Sequence, residues 1–264
     1  MQVLLLDAYN LIHRAKSGFT KGDNSIVYNF FRGLRPLVEK FNPDKVYFVL
    51  EGYPKFRSLI DNEYKSNRKK QDDFFINQKN KIINIVSECF PFEIVRHPDL
   101  ECDDVIATLA ASHCKKGDQC TIISSDSDFI QILNIFENVV LYNPVKKMQI
   151  DCPAYDYVTW KALKGDSSDN IAGIRGVGDK TAEKLLADSD RLSAFLQNES
   201  NRQIFERNVN LIRLVDFSED MGLLERHAGQ RDFKQLDRIF SEMMFSSILK
   251  KSTWEKYVCT FDNL

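Results

Sequence analysis

Acidic side chains recur in short groups that follow apolar runs of the sequence. The groups are Asp7 in LLLDAYN, Glu51 in FVLEG, Glu101, Asp103 and Asp104 in LECDDVIA, and Asp126 and Asp128 in ISSDSDF. A further group, Asp166 and Asp169 in GDSSDN, lies in the helical part of the sequence. One such group alone is ordinary chemistry for a turn or for the first turn of a helix. Together, with no Lys or Arg inside the groups, the nine carboxylates would raise one another's pKa if they converged, and bound cations would relieve that repulsion. The pattern therefore predicts a cation site.

The ligand type narrows the choice of cation. Carboxylate oxygens without His or Cys favour Mg²⁺ or Mn²⁺ over zinc, and a set divided among several groups suits two ions about 4 Å apart. Such a pair lowers the pKa of a bound water, holds a phosphate and stabilises a leaving oxygen. We therefore expect two Mg²⁺ (or Mn²⁺) ions and hydrolysis of a phosphodiester.

A polar segment between residues 53 and 90 supplies the opposite charge. It contains YKSNRKKQDDFFINQKNK, and we expect it to form a helical or mobile insertion that stands off the sheet. The candidates to contact a scissile phosphate are Arg57, Lys65 and Arg68. The added positive charges that favour DNA are Lys69 and Lys70. The candidates to stack on unpaired bases are Tyr64, Phe74 and Phe75, although a solvated helix with core aromatics explains the same pattern.

A glycine-rich turn in GIRGVGDKTAEKLL opens a further helix. Backbone amides at such a turn can bind a phosphate without reading bases, whereas the plain alternative is a turn between two helices. The candidate DNA-binding residues here are Gly176, Val177, Gly178, Lys180 and Thr181.

A parallel sheet would bring the acidic groups to one edge. Residues 1–150 alternate short apolar runs with longer amphipathic ones, which is typical of an α/β fold whose sheet is covered by helices. We expect strands at 3–6, 46–50, 93–95, 121–124 and 139–141, and helices at 26–41, 103–114 and 129–135, with a break or kink at Pro36. The carboxyl ends of such strands are where open α/β sheets bind ligands.

After residue 152 the pattern becomes helical, with predicted helices at 155–164, 181–187 and about 202–215, and no further strands. We therefore predict an α/β core over residues 1–152 with its insertion at about 53–90, a helical module over 153–215, and a helical tail over 216–264.

Composition excludes several classes of protein. The chain has 264 residues, 43% of them hydrophobic and 28% charged, which fits a globular protein rather than a disordered or fibrous one. No apolar stretch reaches the roughly 20 residues of a membrane span, and the six cysteines are scattered, so we expect a cytoplasmic protein with reduced thiols and no membrane partner. The net charge is −2, so without the nine carboxylates the rest of the chain would carry +7, which attracts a polyanion.

These motifs, in this order, resemble the flap endonuclease and 5′-3′ exonuclease superfamily. The resemblance runs from residue 1 to about 215 through LLLDAYNL, FR followed by YKSNR, ECDD, SSDSDF, GDSSDNI and GIRGVGDKTAEKLL. It is closest to the stand-alone bacteriophage 5′ nucleases and to the 5′-nuclease domain of bacterial DNA polymerase I.

The resemblance implies a PIN-like core, a helical arch or clamp, and a helix-three-turn-helix (helix-hairpin-helix) module that grips duplex DNA. It implies that the acidic residues hold two metal ions, that Lys65 with Tyr64 belongs to the arch, and that K⁺ binds the hairpin at residues 176–181. Two departures stand out: Glu51 replaces the usual Asp, and the segment after it is about one residue short.

We therefore predict a monomeric, metal-dependent 5′ nuclease that acts on DNA at the junction of duplex and 5′ single strand, including flaps, nicked or branched duplexes and RNA–DNA primer junctions, in replication or repair. The alternatives are a catalytically silent protein that binds branched DNA and a PIN-type ribonuclease. The hairpin counts against the ribonuclease, which does not need it.

Overall fold

The structure is a computed structural model that describes residues 1–18 and 22–264. Its strands are β1 (Gln2–Asp7), β2 (Lys45–Val49), β3 (Glu93–Arg96), β4 (Gln119–Ile123), β5 (Val139–Asn143), β6 (Met148–Gln149), β7 (Gly165–Asp166), β8 (Ile171–Ala172) and β9 (Glu225–Ala228). A 3-10 helix spans Ser218–Leu223.

The α-helices account for most of the remaining chain. They are α1 (Ala8–Lys16), α2 (Ser25–Phe41), α3 (Lys55–Ile60), α4 (Asp73–Cys89), α5 (Cys102–Cys114), α6 (Ile130–Leu133), α7 (Tyr157–Lys164), α8 (Asp179–Leu186), α9 (Ser189–Leu196), α10 (Glu199–Ile212), α11 (Phe233–Glu242), α12 (Ser246–Leu249) and α13 (Lys251–Asp262).

The main sheet has seven strands in the order β6-β5-β4-β1-β2-β3-β9. The strands from β5 to β3 run parallel, and the outer strands β6 and β9 are antiparallel to their neighbours. The predicted mostly parallel α/β sheet is thus confirmed, and each of the five predicted strands overlaps an observed one.

Strand β1 occupies the centre of the sheet because its side chains are apolar on both faces. Residues 3–6 are almost fully buried, and Leu6 pairs in register with Phe48 of β2 and with Ile123 of β4. Asp7 is the last residue of the strand. The strand therefore carries a carboxylate to the carboxyl edge of the sheet.

Helices cover both faces of the sheet. On one face α1, α2, α4 and the C-terminal helices share a core that includes Phe31, Ile82 and Phe240. On the other face α5 and α6 pack against the strands. Helix α2 continues through Pro36 because Leu34, Leu37 and Val38 are buried on its inner face, so the predicted break is not formed.

The helices α7 to α10 form a smaller layer around two apolar clusters of their own. The prediction that no strand follows residue 152 is wrong: β7 pairs with β8, and β9 joins the main sheet by pairing His227 with Ile94. All four side chains of β9 are exposed, so this strand has no apolar alternation by which the sequence could have identified it. In residues 1–18 and 22–264, no helix has the length and apolar character to span a membrane.

Candidate active site

The acidic groups meet at the carboxyl edge of the central strands. Asp7 ends β1, Glu51 follows β2, and the Asp126 loop follows β4, and these three strands are neighbours in the sheet. Glu101 is the N-cap residue of α5. Gly52 fixes the loop beside Glu51, because a Cβ at Gly52 would lie 1.9 Å from the carbonyl oxygen of His97.

The first cluster consists of Asp7, Cys102 and Asp103, whose ligand atoms all lie within 4.8 Å of one another. Asp7 is almost fully buried and accepts hydrogen bonds from Ser124 Oγ at 2.7 Å and from the Asn10 amide at 3.0 Å. These two donors fix the direction of its carboxylate. The cluster therefore offers rigid oxygen ligands on a buried strand end.

Burial disfavours the charged forms of the acidic residues at this edge of the sheet. It raises the pKa of Asp7 to about 6 and the pKa of Glu51 to about 7. Burial, together with the charges of Asp126 and Asp7, also raises the pKa of Asp103 well above its usual value. A site that binds a divalent cation has this electrostatic character, because the ion restores the charged form of each ligand.

The second cluster consists of Asp128, Asp166 and Asp169, which also bring ligand atoms within 4.8 Å of one another. The ammonium of Lys161 contacts Asp128 and lies 2.6 Å from Asp166 Oδ2. Burial raises the pKa of Asp128 to about 6 although Lys161 opposes this. Burial acts in the same direction on Asp166, but there the hydrogen bond and charge of Lys161 prevail and lower its pKa to about 2.

Three insertion residues reach into the space between the two clusters. Lys65 contacts Glu101 and lies 3.6 Å from Asp169, and Arg68 donates to Asp169 at 2.6 Å. The Tyr64 hydroxyl donates to Glu101 at 2.9 Å and to Asp169 at 3.3 Å. Although burial opposes the charge of Lys65, Glu101 raises the pKa of this ammonium.

The backbone of Lys65 is strained in a way that serves this arrangement. Its φ of 57° lies in the left-handed region, which is unusual for a residue with a side chain. Its amide donates to the Asp169 carbonyl oxygen at 2.9 Å, and Asn67 Nδ2 donates to the Ser167 carbonyl oxygen at 2.7 Å. The base of the insertion is thus attached to the GDSSDN loop. Lys69 and Lys70 are exposed beyond it.

Two predicted site residues, Arg57 and Asp104, form an ion pair with each other. The Arg57 guanidinium donates to Asp104 at 2.6 and 2.8 Å, and also to the carbonyl oxygens of Leu211 and Arg213. Arg57 is 3% exposed and Asp104 is 0% exposed. Burial and mutual pairing argue against the predictions that Arg57 contacts a phosphate and that Asp104 binds metal, and Arg57 Nη1 also lies 3.0 Å from Glu101 Oε2. The pair instead joins α3, α5 and the end of α10.

The three aromatic residues predicted to stack on bases lie in different environments. Phe75 is 1% exposed and stacks on His13 with ring centroids 4.5 Å apart, so it is a core residue that cannot stack on a base. The Tyr64 ring packs against the apolar cluster of the helical layer, and only its hydroxyl faces the acids. Phe74 is 46% exposed. Helix α4 is part of the core, contrary to the expectation that the whole insertion stands off the sheet.

The glycine-rich hairpin lies between β8 and α8. Gly176 has a φ of 82°, a conformation that favours glycine. Gly178 is the N-cap residue of α8, and Lys180 and Thr181 are exposed in its first turn. Val177 is buried and its amide donates to the Ile174 carbonyl oxygen, so it stabilises the turn.

Sequence reasoning missed several residues of the site. Lys161 lies in the last turn of α7, and its position just before GDSSDN was the signal available. The other missed residues are neutral and contact predicted metal ligands. Ser124 and Asn10 orient Asp7, and the Tyr157 hydroxyl lies 3.4 Å from Asp128 Oδ1. Neutral residues of this kind are common in loops and gave no distinct pattern.

Comparisons with known proteins agree with the fold. The 5′-3′ exonuclease N-terminal resolvase-like domain matches residues 2–160, and the 5′-3′ exonuclease C-terminal SAM fold matches residues 152–227. A 5′-3′ exonuclease of Mycoplasmopsis pulmonis is 32% identical over 197 residues, which are 69% of this chain and 65% of that protein. DNA polymerase I of Treponema pallidum is 35% identical over 205 residues, which are 69% of this chain and 20% of that protein.

The chain is thus similar to one part of much longer proteins: it spans 23%, 20% and 30% of three DNA polymerase I relatives. Among solved structures, a bacteriophage T5 flap endonuclease in complex with DNA and metal ions has the same fold, with a TM-score of 0.68, 18% identity, and coverage of 81% of this chain and 89% of that chain. Since the N-terminal family domain alone covers more than half of the chain, the chain belongs to the 5′-3′ exonuclease family.

Proposed function

We propose that the chain is a divalent-metal-dependent 5′ nuclease, both flap endonuclease and 5′-3′ exonuclease, that hydrolyses phosphodiesters near the junction of duplex and 5′ single-stranded DNA. The observation that carries this proposal is the pair of acidic clusters at one edge of the sheet, with basic side chains of the insertion between them. The nuclease core would be residues 1–152, the duplex-binding module 153–215, and the tail 216–264.

The donor set fits hard divalent cations. Asp7 is almost fully buried, Asp103 is half-buried, and neither forms a salt bridge in the described part of the chain; carboxylate oxygens of this kind suit Mg²⁺ or Mn²⁺. Asp7 and Asp103, with Glu51, Glu101 and Asp126 around them, would hold one ion, and Asp128, Asp166 and Asp169 would hold the other. When bound, two such ions supply a water of lowered pKa and charge stabilisation for a phosphodiester.

The chain's own cations would position the substrate. Lys65 and Arg68 are held at the acids by ion pairs and reach the space where a phosphate would lie. A phosphate that enters with its metal ions gives both side chains a new partner, so they can turn from the carboxylates to the scissile phosphate. Lys69 and Lys70 extend this positive charge outward for the unpaired 5′ strand.

The hairpin would hold the duplex at a fixed distance from the acids. Gly176 and Gly178 allow close approach of a DNA backbone, and Lys180 and Thr181 are exposed to contact its phosphates. We propose the same hairpin as the K⁺ site that the family resemblance implies. Duplex affinity that rises with K⁺ but not with Na⁺ at equal ionic strength would support this.

Cleavage of a 5′-flap substrate tests the proposal directly. The protein is incubated with a flap labelled at its 5′ end, in Mg²⁺ or in EDTA, and with matched DNA and RNA flaps. We expect Mg²⁺-dependent release of the DNA flap, leaving a 5′-phosphate and a 3′-hydroxyl. Tight binding without cleavage in Mg²⁺ or Mn²⁺ would instead identify a silent branched-DNA-binding protein. Faster cleavage of the RNA flap would identify a ribonuclease.

A further inference from the structure

The two acidic clusters differ in how the chain balances their charge. Each carboxylate of the second cluster contacts a basic side chain: Asp128 and Asp166 contact Lys161, and Asp169 contacts Arg68. In the first cluster, by contrast, neither Asp7 nor Asp103 forms a salt bridge with any residue in the described part of the chain, and the nearby cations Lys65 and Arg57 contact Glu101 beside the cluster instead. The two clusters should therefore differ in their affinity for a divalent cation.

Lys161 is unlike the other basic residues of the site. Lys65 and Arg68 come from the turns of the insertion, whereas Lys161 projects from the last turn of α7. It is 6% exposed, and the Tyr157 hydroxyl lies beside the same Asp128 carboxylate that it contacts. Its stem is enclosed within the protein, so a substrate that draws away the insertion side chains would leave the Lys161 ammonium at Asp128 and Asp166.

We propose that Lys161 is a tethered counter-ion that competes with a divalent ion for the second cluster. The first cluster then binds its ion first and more tightly, and the second cluster binds an ion only when the Lys161 ammonium gives way. This inference rests on the proposed function and adds to it an order of metal binding that is set by one residue of the helical layer.

The expected size of the effect follows from charge repulsion. A divalent ion and a single positive charge a few ångströms apart repel with an energy that depends on the local dielectric, and even full solvent screening leaves an effect of roughly tenfold or more on affinity. Removal of the Lys161 charge should therefore tighten binding at the second cluster by about 10- to 100-fold. Binding at the first cluster should change little.

The test is a Mn²⁺ titration of the full chain, in which electron paramagnetic resonance measures free Mn²⁺. The wild-type protein should bind one ion tightly and a second at least about tenfold more weakly. In Lys161→Met the second step should move toward the first. Lys161→Arg retains the charge and should behave as the wild type, and so should Lys164→Met, which removes a neighbouring lysine that pairs with Asp179 instead.

Two equal steps in the wild type, or an unchanged second step in Lys161→Met, would overturn the proposal. Circular dichroism establishes that each variant is folded, and Lys161→Gln, which keeps a hydrogen-bond donor, replaces Lys161→Met if that variant unfolds. Flap cleavage by the wild type is measured separately. Cleavage together with equal metal steps would reject only the counter-ion role, whereas an absence of both Mn²⁺ binding and cleavage would reject the proposed function as well.

Discussion

Replacement of Arg57 by Met should destabilise the protein strongly, because it leaves a charge buried without a partner. Arg57 and Asp104 are joined by two hydrogen bonds of 2.6 and 2.8 Å, and Asp104 has no solvent exposure. Removal of one member of such a pair costs about 3–5 kcal/mol. For a chain of this size that lowers the melting temperature by roughly 10 °C.

A double-mutant cycle separates the pair from its surroundings. In Arg57→Met/Asp104→Leu the unpaired charge is gone, so the double variant should be more stable than the sum of the single effects predicts, by about 2 kcal/mol or more. It should not regain full stability, because the Val215 amide would lose its bond of 2.8 Å to Asp104.

The matched control is Lys55→Met on the same helix. Lys55 pairs with Asp99 at 2.9 Å, but both side chains are largely exposed, so its loss should cost less than about 1 kcal/mol. Thermal and urea unfolding followed by circular dichroism measure all four variants. If Arg57→Met is no less stable than Lys55→Met, or if the cycle is additive, the account of Arg57 as a buried link between the insertion and the helical layer is wrong.

The remaining predictions concern the site and the hairpin. Asp103→Asn should lower flap cleavage by orders of magnitude while flap binding in Ca²⁺ stays near normal; an equal loss of binding would contradict its role as a metal ligand. Lys180→Ala should weaken duplex binding and reduce its salt dependence by about one phosphate contact, and an unchanged slope would reject the hairpin assignment. In EDTA, the melting temperature should fall as pH rises from about 5 to 8. Burial raises the pKa of Glu51 from 4.5 to about 7, so between these values the folded state keeps a proton that the unfolded state has released, and about 3 kcal/mol of stability is lost across that interval. Glu51→Gln should flatten this fall, and identical slopes in the two proteins would contradict the burial of Glu51.

The fold was largely predictable from apolar patterning. Strand β1 shows why, since a run of apolar residues that ends at Asp7 specifies both a central strand and a carboxylate at its end. The β9 strand was not predictable, because it is exposed and joins the sheet through backbone pairing with β3. Backbone hydrogen bonds of this kind leave no pattern in side-chain type.

The acidic residues of the site could be predicted from the sequence, but the ion pairs that they form could not. The groups at Asp7, Glu51, Glu101 and Asp126 are adjacent to strand ends of the main sheet or to a helix start, so their convergence at the sheet edge followed from topology. Asp166 and Asp169 lie in the helical layer, and the topology of the main sheet did not place them. Which carboxylate meets a cation depends on contacts between residues far apart in the chain. Asp104 and Asp103 are neighbours in sequence, yet one faces Arg57 in the interior and the other faces the first cluster. Sequence spacing does not encode that difference.

The proposed nuclease activity requires the two acidic clusters to be sites for divalent cations. The most direct test is anomalous scattering from a crystal of the protein soaked in Mn²⁺. We expect one peak in contact with Asp7 and Asp103 and, at high Mn²⁺ concentration, a second peak in contact with Asp128, Asp166 and Asp169. Saturating Mn²⁺ with no peak at either cluster would show that neither cluster is a site for divalent cations.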